Sequence, residues 1–140
     1  MSELPDQAGV VGAWIVRAEE DLDVAVNELA RGVAAPIGPV CFHAQQAVEK
    51  YLKAVLVHLN VPFPKVHDLT LIHALLPKQV PMPLDGKDLS RASRFAVESR
   101  YPEHVEPSSR SDAEWAVEFA RRVRGLVRPA LPASAFAPPK

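Results

Sequence analysis

"CFHAQQAVEKYLKAVL", residues 41–56, is the stretch whose reading decides the fold. Cys41, Ala44, Val48, Tyr51, Leu52, Val55 and Leu56 return at helical intervals. At about 100° per residue they fill one stripe. His43, Gln46, Lys50 and Lys53 fall on the opposite face, which reads as the wet one. Gln45 projects between Leu52 and Leu56, and Glu49 lies at the edge of the stripe. A buried amide or carboxylate costs free energy unless it is partnered. The stretch therefore predicts partners for both. Gln45 is expected to tie to a loop backbone or a neighbouring helix, within the bundle or across a subunit interface. Glu49 is expected to pair with Arg94 or Arg100.

Working outward, fourteen prolines punctuate the chain and mark its loops. Upstream, "VVGAWIVRAEEDLDVAVNELAR" carries Val11, Trp14, Ile15, Ala18, Leu22, Ala25, Val26 and Leu29 on one stripe, with Gly32 as a stop. The central helix is expected to run from its quoted start to about Asn60. Downstream, "HDLTLIHALL" reads as a short helix, with Asp68 or His67 at its cap. A fourth helix is predicted from about Lys87 to Ser99, with Leu89, Ala92, Phe95 and Ala96 inward. "SDAE" matches a capping box, Ser111 with Glu114, and opens a fifth helix striped by Trp115, Phe119, Val123 and Leu126. "VPFPKV" is the best strand candidate, and its prolines spoil it. The expectation is an all-α, up-and-down bundle of four long helices plus a short one over residues 10–128. Residues 1–9 are expected to be a flexible N-terminus, and 129–140 a disordered tail rich in proline and alanine.

The bulk numbers bound the function. The chain has 140 residues, 48% of them hydrophobic, and a formal charge of −1. One core fits that length, and the charge excludes a globally basic nucleic-acid binder. A local basic patch stays open. The start lacks a signal pattern, and no apolar run reaches membrane-spanning length. The expectation is a soluble, cytoplasmic protein without membrane attachment.

Five histidines are scattered without zinc-like spacing, so no metal site and no cofactor are implied. His67 is read as capping or buttressing the third helix. Cys41, the lone cysteine, lies on the apolar stripe and reads as core rather than nucleophile. "DGKD", residues 85–88, has one glycine where a phosphate loop needs several, and reads as a helix start. "ESRYPEHVEP", residues 98–107, gathers Arg100, Tyr101 and His104 at the exit of the fourth helix. An arginine can clamp a phosphate through paired hydrogen bonds, and a histidine can move protons near neutral pH. A helix end with basic residues that suit its dipole is the plainer reading, and Pro102 interrupts the chain before His104. Arg121, Arg124 and Arg128 form a separate stripe for RNA, an acidic partner or simple solvation.

"FHAQQAVEK" followed by "HDL" at this spacing, with "W" and "DL" in the upstream helix and "SRYP" closing the fourth, resembles the HEPN family of prokaryotic helical domains. The resemblance covers roughly residues 10–128. It implies a helical bundle, a frequent homodimer, and a partner of the minimal nucleotidyltransferase class in a toxin–antitoxin-like pair. In many toxins of the family an arginine precedes a histidine by four to six intervening residues, and two such sites face each other and cut RNA without metal. Here Arg100 and His104 are separated by "YPE", three residues, and Arg94 and His104 by nine. The catalytic motif does not carry over. Three readings follow. The first is an interaction module, noncatalytic or weakly active. The second is a metal-independent endoribonuclease, with Arg100 on the phosphate, His104 moving protons, and Tyr101 or Arg94 assisting. The third is a nucleotide-binding helper domain using Arg94, Arg100 and Arg121. For the first, Val117 is a candidate for the apolar helix face left uncovered in the monomer.

Overall fold

The computed structural model describes residues 6–101, 103 and 106–136. Five α-helices and no strand occur among them: α1 (Gln7–Leu29), α2 (Ile37–His58), α3 (Leu69–Ala74), α4 (Gly86–Arg100) and α5 (Arg110–Val127). Short 3₁₀ turns lie at Gly32–Ala34, Arg128–Ala130 and Ala133–Phe136. This is the expected all-α architecture, four long helices and one short. No described helix is long and apolar enough to cross a membrane.

Local chemistry places the helix starts. Asp6 accepts from the Gly9 N–H at 2.7 Å and starts α1, four residues before the expected bundle boundary. Asp68, rather than His67, caps α3 by accepting from the N–H groups of Thr70 and Leu71. Asp85 caps α4 through the Lys87 N–H. The box that opens α5 is Ser109 with Asp112, in which each side chain takes the other's backbone N–H. The expected pair, Ser111 with Glu114, lies inside the helix instead. Both pairs satisfy the same pattern, and the upstream one wins because it satisfies two donors a half-turn earlier. α2 likewise begins at Ile37, ahead of the expected start, with Pro39 in its first turn. A proline is tolerated there because the first N–H groups of a helix have no partner within it.

α2 is the axis of the bundle. It packs against α1, α3, α4 and α5, and residues from Ala44 to Leu56 are buried on most of its circumference. The expected wet face is therefore corrected at Lys53, which is buried with 5% exposure. Its Nζ lies 5.7 Å from the Trp14 ring and 5.5 Å from the Phe63 ring. Val117 is also corrected: it is buried, at the floor of a groove between α1 and α5, rather than part of an uncovered apolar face. Asp21 of α1 is buried and bridges to α2, holding Lys50 and the His43 Nδ1.

The segment expected to be a tail without order folds back on α1 as far as Phe136. Leu131 is buried in the core. The Phe136 ring sits under two guanidinium groups, Arg128 at 5.0 Å and Arg124 at 5.6 Å.

Candidate functional site

The two polar residues on the apolar side of α2 are deeply buried, Gln45 at 1% and Glu49 at 3% exposure, and both are partnered. The Gln45 amide donates to Glu49 Oε1 at 3.2 Å and to the His67 carbonyl at 3.3 Å. Its own oxygen accepts from Gln46 at 2.7 Å. Glu49 Oε2 accepts from Lys53 Nζ at 2.9 Å, and Lys53 also reaches the Val66 carbonyl. His67 Nδ1 lies 2.9 Å from Glu49 Oε1. On the far side of the ring, Arg100 Nη2 is 2.7 Å from His67 Nε2.

Glu49 therefore reaches the end of α4, but through an intermediary. It pairs with neither Arg94 nor Arg100. His67, on the loop between α2 and α3, spans the gap. An arginine only donates and a carboxylate only accepts. The ring must then carry its proton on Nδ1, facing Glu49, and present the Nε2 lone pair to Arg100. This tautomer is assigned from the network.

Beside the ring lies a groove of about 480 Å³ between α3 and α4. His67, Arg94, Arg100 and Tyr101 line it with the hydroxyl groups of Thr70, Ser90 and Ser93. Ala96 and Val97 supply an apolar wall. Ser93 fixes the two helices to each other: its Oγ accepts from the Leu69 N–H and donates to the Leu89 carbonyl. Three large apolar side chains stand exposed on these elements, Leu71 at 43%, Val97 at 44% and Tyr101 at 52%. Of the residues singled out from sequence, Gln45, Glu49, Arg94, Arg100 and Tyr101 thus converge on the groove or the chain of hydrogen bonds behind it. Arg121 does not: it pairs with Glu118 at 2.8 Å on α5. His104 lies outside the described residues.

Two residues of this assembly escaped sequence reasoning, His67 as a bridge and Lys53 as a buried cation. The Glu49–Lys53 spacing of four was a usable signal, since such pairs face each other on a helix. Nothing local announces that His67 reaches both α2 and α4. Elsewhere, burial pushes the Cys41 thiol up to about 11, so it stays protonated and inert in the core. No group of three or more metal-ligating side chains occurs among the described residues.

Two solved structures are similar over nearly the whole domain. TT1696 from Thermus thermophilus is 25% identical, with a TM-score of 0.74 over 86% of this chain and 98% of that one. ST0689, described as an archaeal HEPN homologue, is 26% identical, with a TM-score of 0.60 over 85% of this chain and 95% of its own. Among curated proteins none matches. The sequence model of the HEPN domain matches residues 11–129, nearly all of the helical bundle, and the chain belongs to the HEPN domain family.

Proposed function

We propose that this protein is an interaction module that homodimerises through its α3–α4 face and partners a minimal nucleotidyltransferase in a toxin–antitoxin-like pair in the cytoplasm. The observation that carries the reading is the apolar surface of the groove, where Val97 and Tyr101 stand exposed beside Ala96, with Leu71 of α3 exposed as well. Large exposed apolar side chains grouped at a concave surface are characteristic of a docking face. Membership of the HEPN family supports the choice of a second copy and of a nucleotidyltransferase as partners. Two grooves brought face to face would then form one cleft with Arg94 and Arg100 at its rim. The three-residue spacing between Arg100 and His104 argues against efficient RNA cleavage in that cleft.

Light scattering on the purified chain tests the dimer. A dimer is expected that Val97→Asp converts to a folded monomer. A wild-type monomer at high concentration overturns the reading. Co-expression with a minimal nucleotidyltransferase, followed by purification through a tag on either chain, tests the partner. The second reading, a metal-independent endoribonuclease, is favoured by Arg94, Arg100 and Tyr101 sharing one groove. It requires RNA cleavage that survives chelator and disappears in both Arg100→Ala and His104→Ala.

A further inference from the structure

Arg100 is exposed at the edge of the groove, and its guanidinium bonds a ring nitrogen of His67. Glu49 already takes the Nδ1–H, along with Lys53 and Gln45, so Nε2 faces Arg100 as a neutral acceptor. An anionic oxygen adds a Coulomb attraction that a neutral ring nitrogen lacks, and it can take two parallel N–H bonds from a guanidinium. An oxyanion in the groove therefore offers Arg100 a better partner than the one it has. Once Arg100 leaves, Nε2 is a bare nitrogen lone pair at the groove wall, on a ring whose other nitrogen is held by a buried carboxylate.

We propose that Arg100 and His67 form a proton-coupled anion latch. A phosphate-type oxyanion entering the groove draws the guanidinium off Nε2, and that nitrogen takes up one proton from solvent. The charged and titratable groups around the ring are Glu49 and Lys53 from α2, Asp68 at the start of α3, Arg94 and Arg100 of α4, and Tyr101 just beyond it. At the groove wall the anion meets Arg94 and Arg100, with Asp68 the one carboxylate opposing it, and Glu49 stabilises the imidazolium from behind. The sign follows from linkage. Because the bound state holds one more proton, affinity for the anion rises as pH falls, by at most about tenfold per pH unit. By reciprocity the anion moves the titration of His67 to higher pH. The latch needs only the isolated chain and stands apart from the partner proposed above.

The test is an NMR titration of the His67 ring over about pH 5–8, with and without saturating anion. Inorganic sulfate stands for a free dianion and dimethyl phosphate for a phosphodiester; neither titrates near neutrality. Tighter binding of one assigns the source, and the latch requires proton uptake with whichever binds. Coulomb attraction from any nearby anion would also raise the midpoint, so the deciding arm contains no anion. Arg100→Ala alone must raise the His67 midpoint, because it removes the guanidinium by substitution as the anion removes it by competition. His67→Gln keeps an acceptor for Arg100 and cannot titrate, so it should bind the anion with an affinity independent of pH. An unmoved midpoint in Arg100→Ala overturns the proposal. So does the absence of anion binding at every pH, or a wild-type pH slope in His67→Gln.

Discussion

Single side chains set the boundaries of the bundle. Ser109 both receives the Asp112 N–H and lies within reach of the Asp112 carboxylate. The Ser109 backbone N–H, with Arg91 helping and burial opposing, holds the Asp112 carboxyl below its ordinary range. Loss of such a cap costs about 1 kcal/mol, within a span of roughly 0.5–2. Ser109→Ala is therefore expected to destabilise the protein by about 1 kcal/mol in urea unfolding, whereas Ser111→Ala, inside the helix, should change stability by less than about 0.5 kcal/mol. Equal losses in the two variants would place the start of α5 wrongly. The linkage has a definite sign as well. A carboxyl whose folded titration is depressed contributes stability above its unfolded value and loses it as pH falls through the folded one. The difference between wild type and Asp112→Asn should thus shrink on acidification.

At the scale of the element, α2 carries the consequence of being central. A surface helix needs one apolar stripe; a helix packed on four others has little polar face left. Lys53 is buried for this reason, and its charge is tolerated because Glu49 lies one turn away at 2.9 Å. Removing one member of a buried pair leaves the other uncompensated, at a cost of about 3–5 kcal/mol. Glu49→Ala should lose about that much stability. Glu49→Met with Lys53→Met should regain most of it, since apolar replacement of a whole buried pair is often neutral or favourable. Chemical denaturation of both variants checks this, and a double variant as unstable as the single one would refute it. The same geometry explains what was legible in the sequence. Period and proline placed all five helices, because those signals are local. The presence of partners for Gln45 and Glu49 was legible too, from the cost of burying polar groups. The loop backbone expected for Gln45 is the His67 carbonyl, whereas the partner of Glu49 was not legible. His67 comes from a loop, and its distance to Arg100 is set by how α3 and α4 pack, which no window along the chain contains. Lys53 was misplaced because a single stripe was projected onto a helix that is buried on several sides.

The whole molecule is closed by its C-terminal segment. Arg124 Nε donates to Glu19 at 2.6 Å, and the buried Tyr51 hydroxyl donates to the same oxygen at 2.9 Å. Burial, reinforced by that carboxylate, pushes the Tyr51 phenol well above its ordinary range. Arg124 also covers Phe136, so one arginine connects α1, α2, α5 and the segment after them. The segment itself is held mainly by Leu131 and Phe136, and ordering each of its residues costs about 1–2 kcal/mol of backbone entropy. Its docking must therefore be a small net balance, and a defect in it is limited in cost. Truncating a leucine in a closed core costs about 2–5 kcal/mol. Here the loss cannot exceed the docking free energy, because the segment can undock while the four long helices stay packed. Leu131→Ala is thus expected to cost only about 1–2 kcal/mol globally, and to expose the chain after Arg128 to rapid proteolysis while α1–α5 resist. A global loss above about 4 kcal/mol, within the range of a core leucine, together with unchanged proteolysis of the segment, would instead make residues 128–136 an integral layer of the bundle.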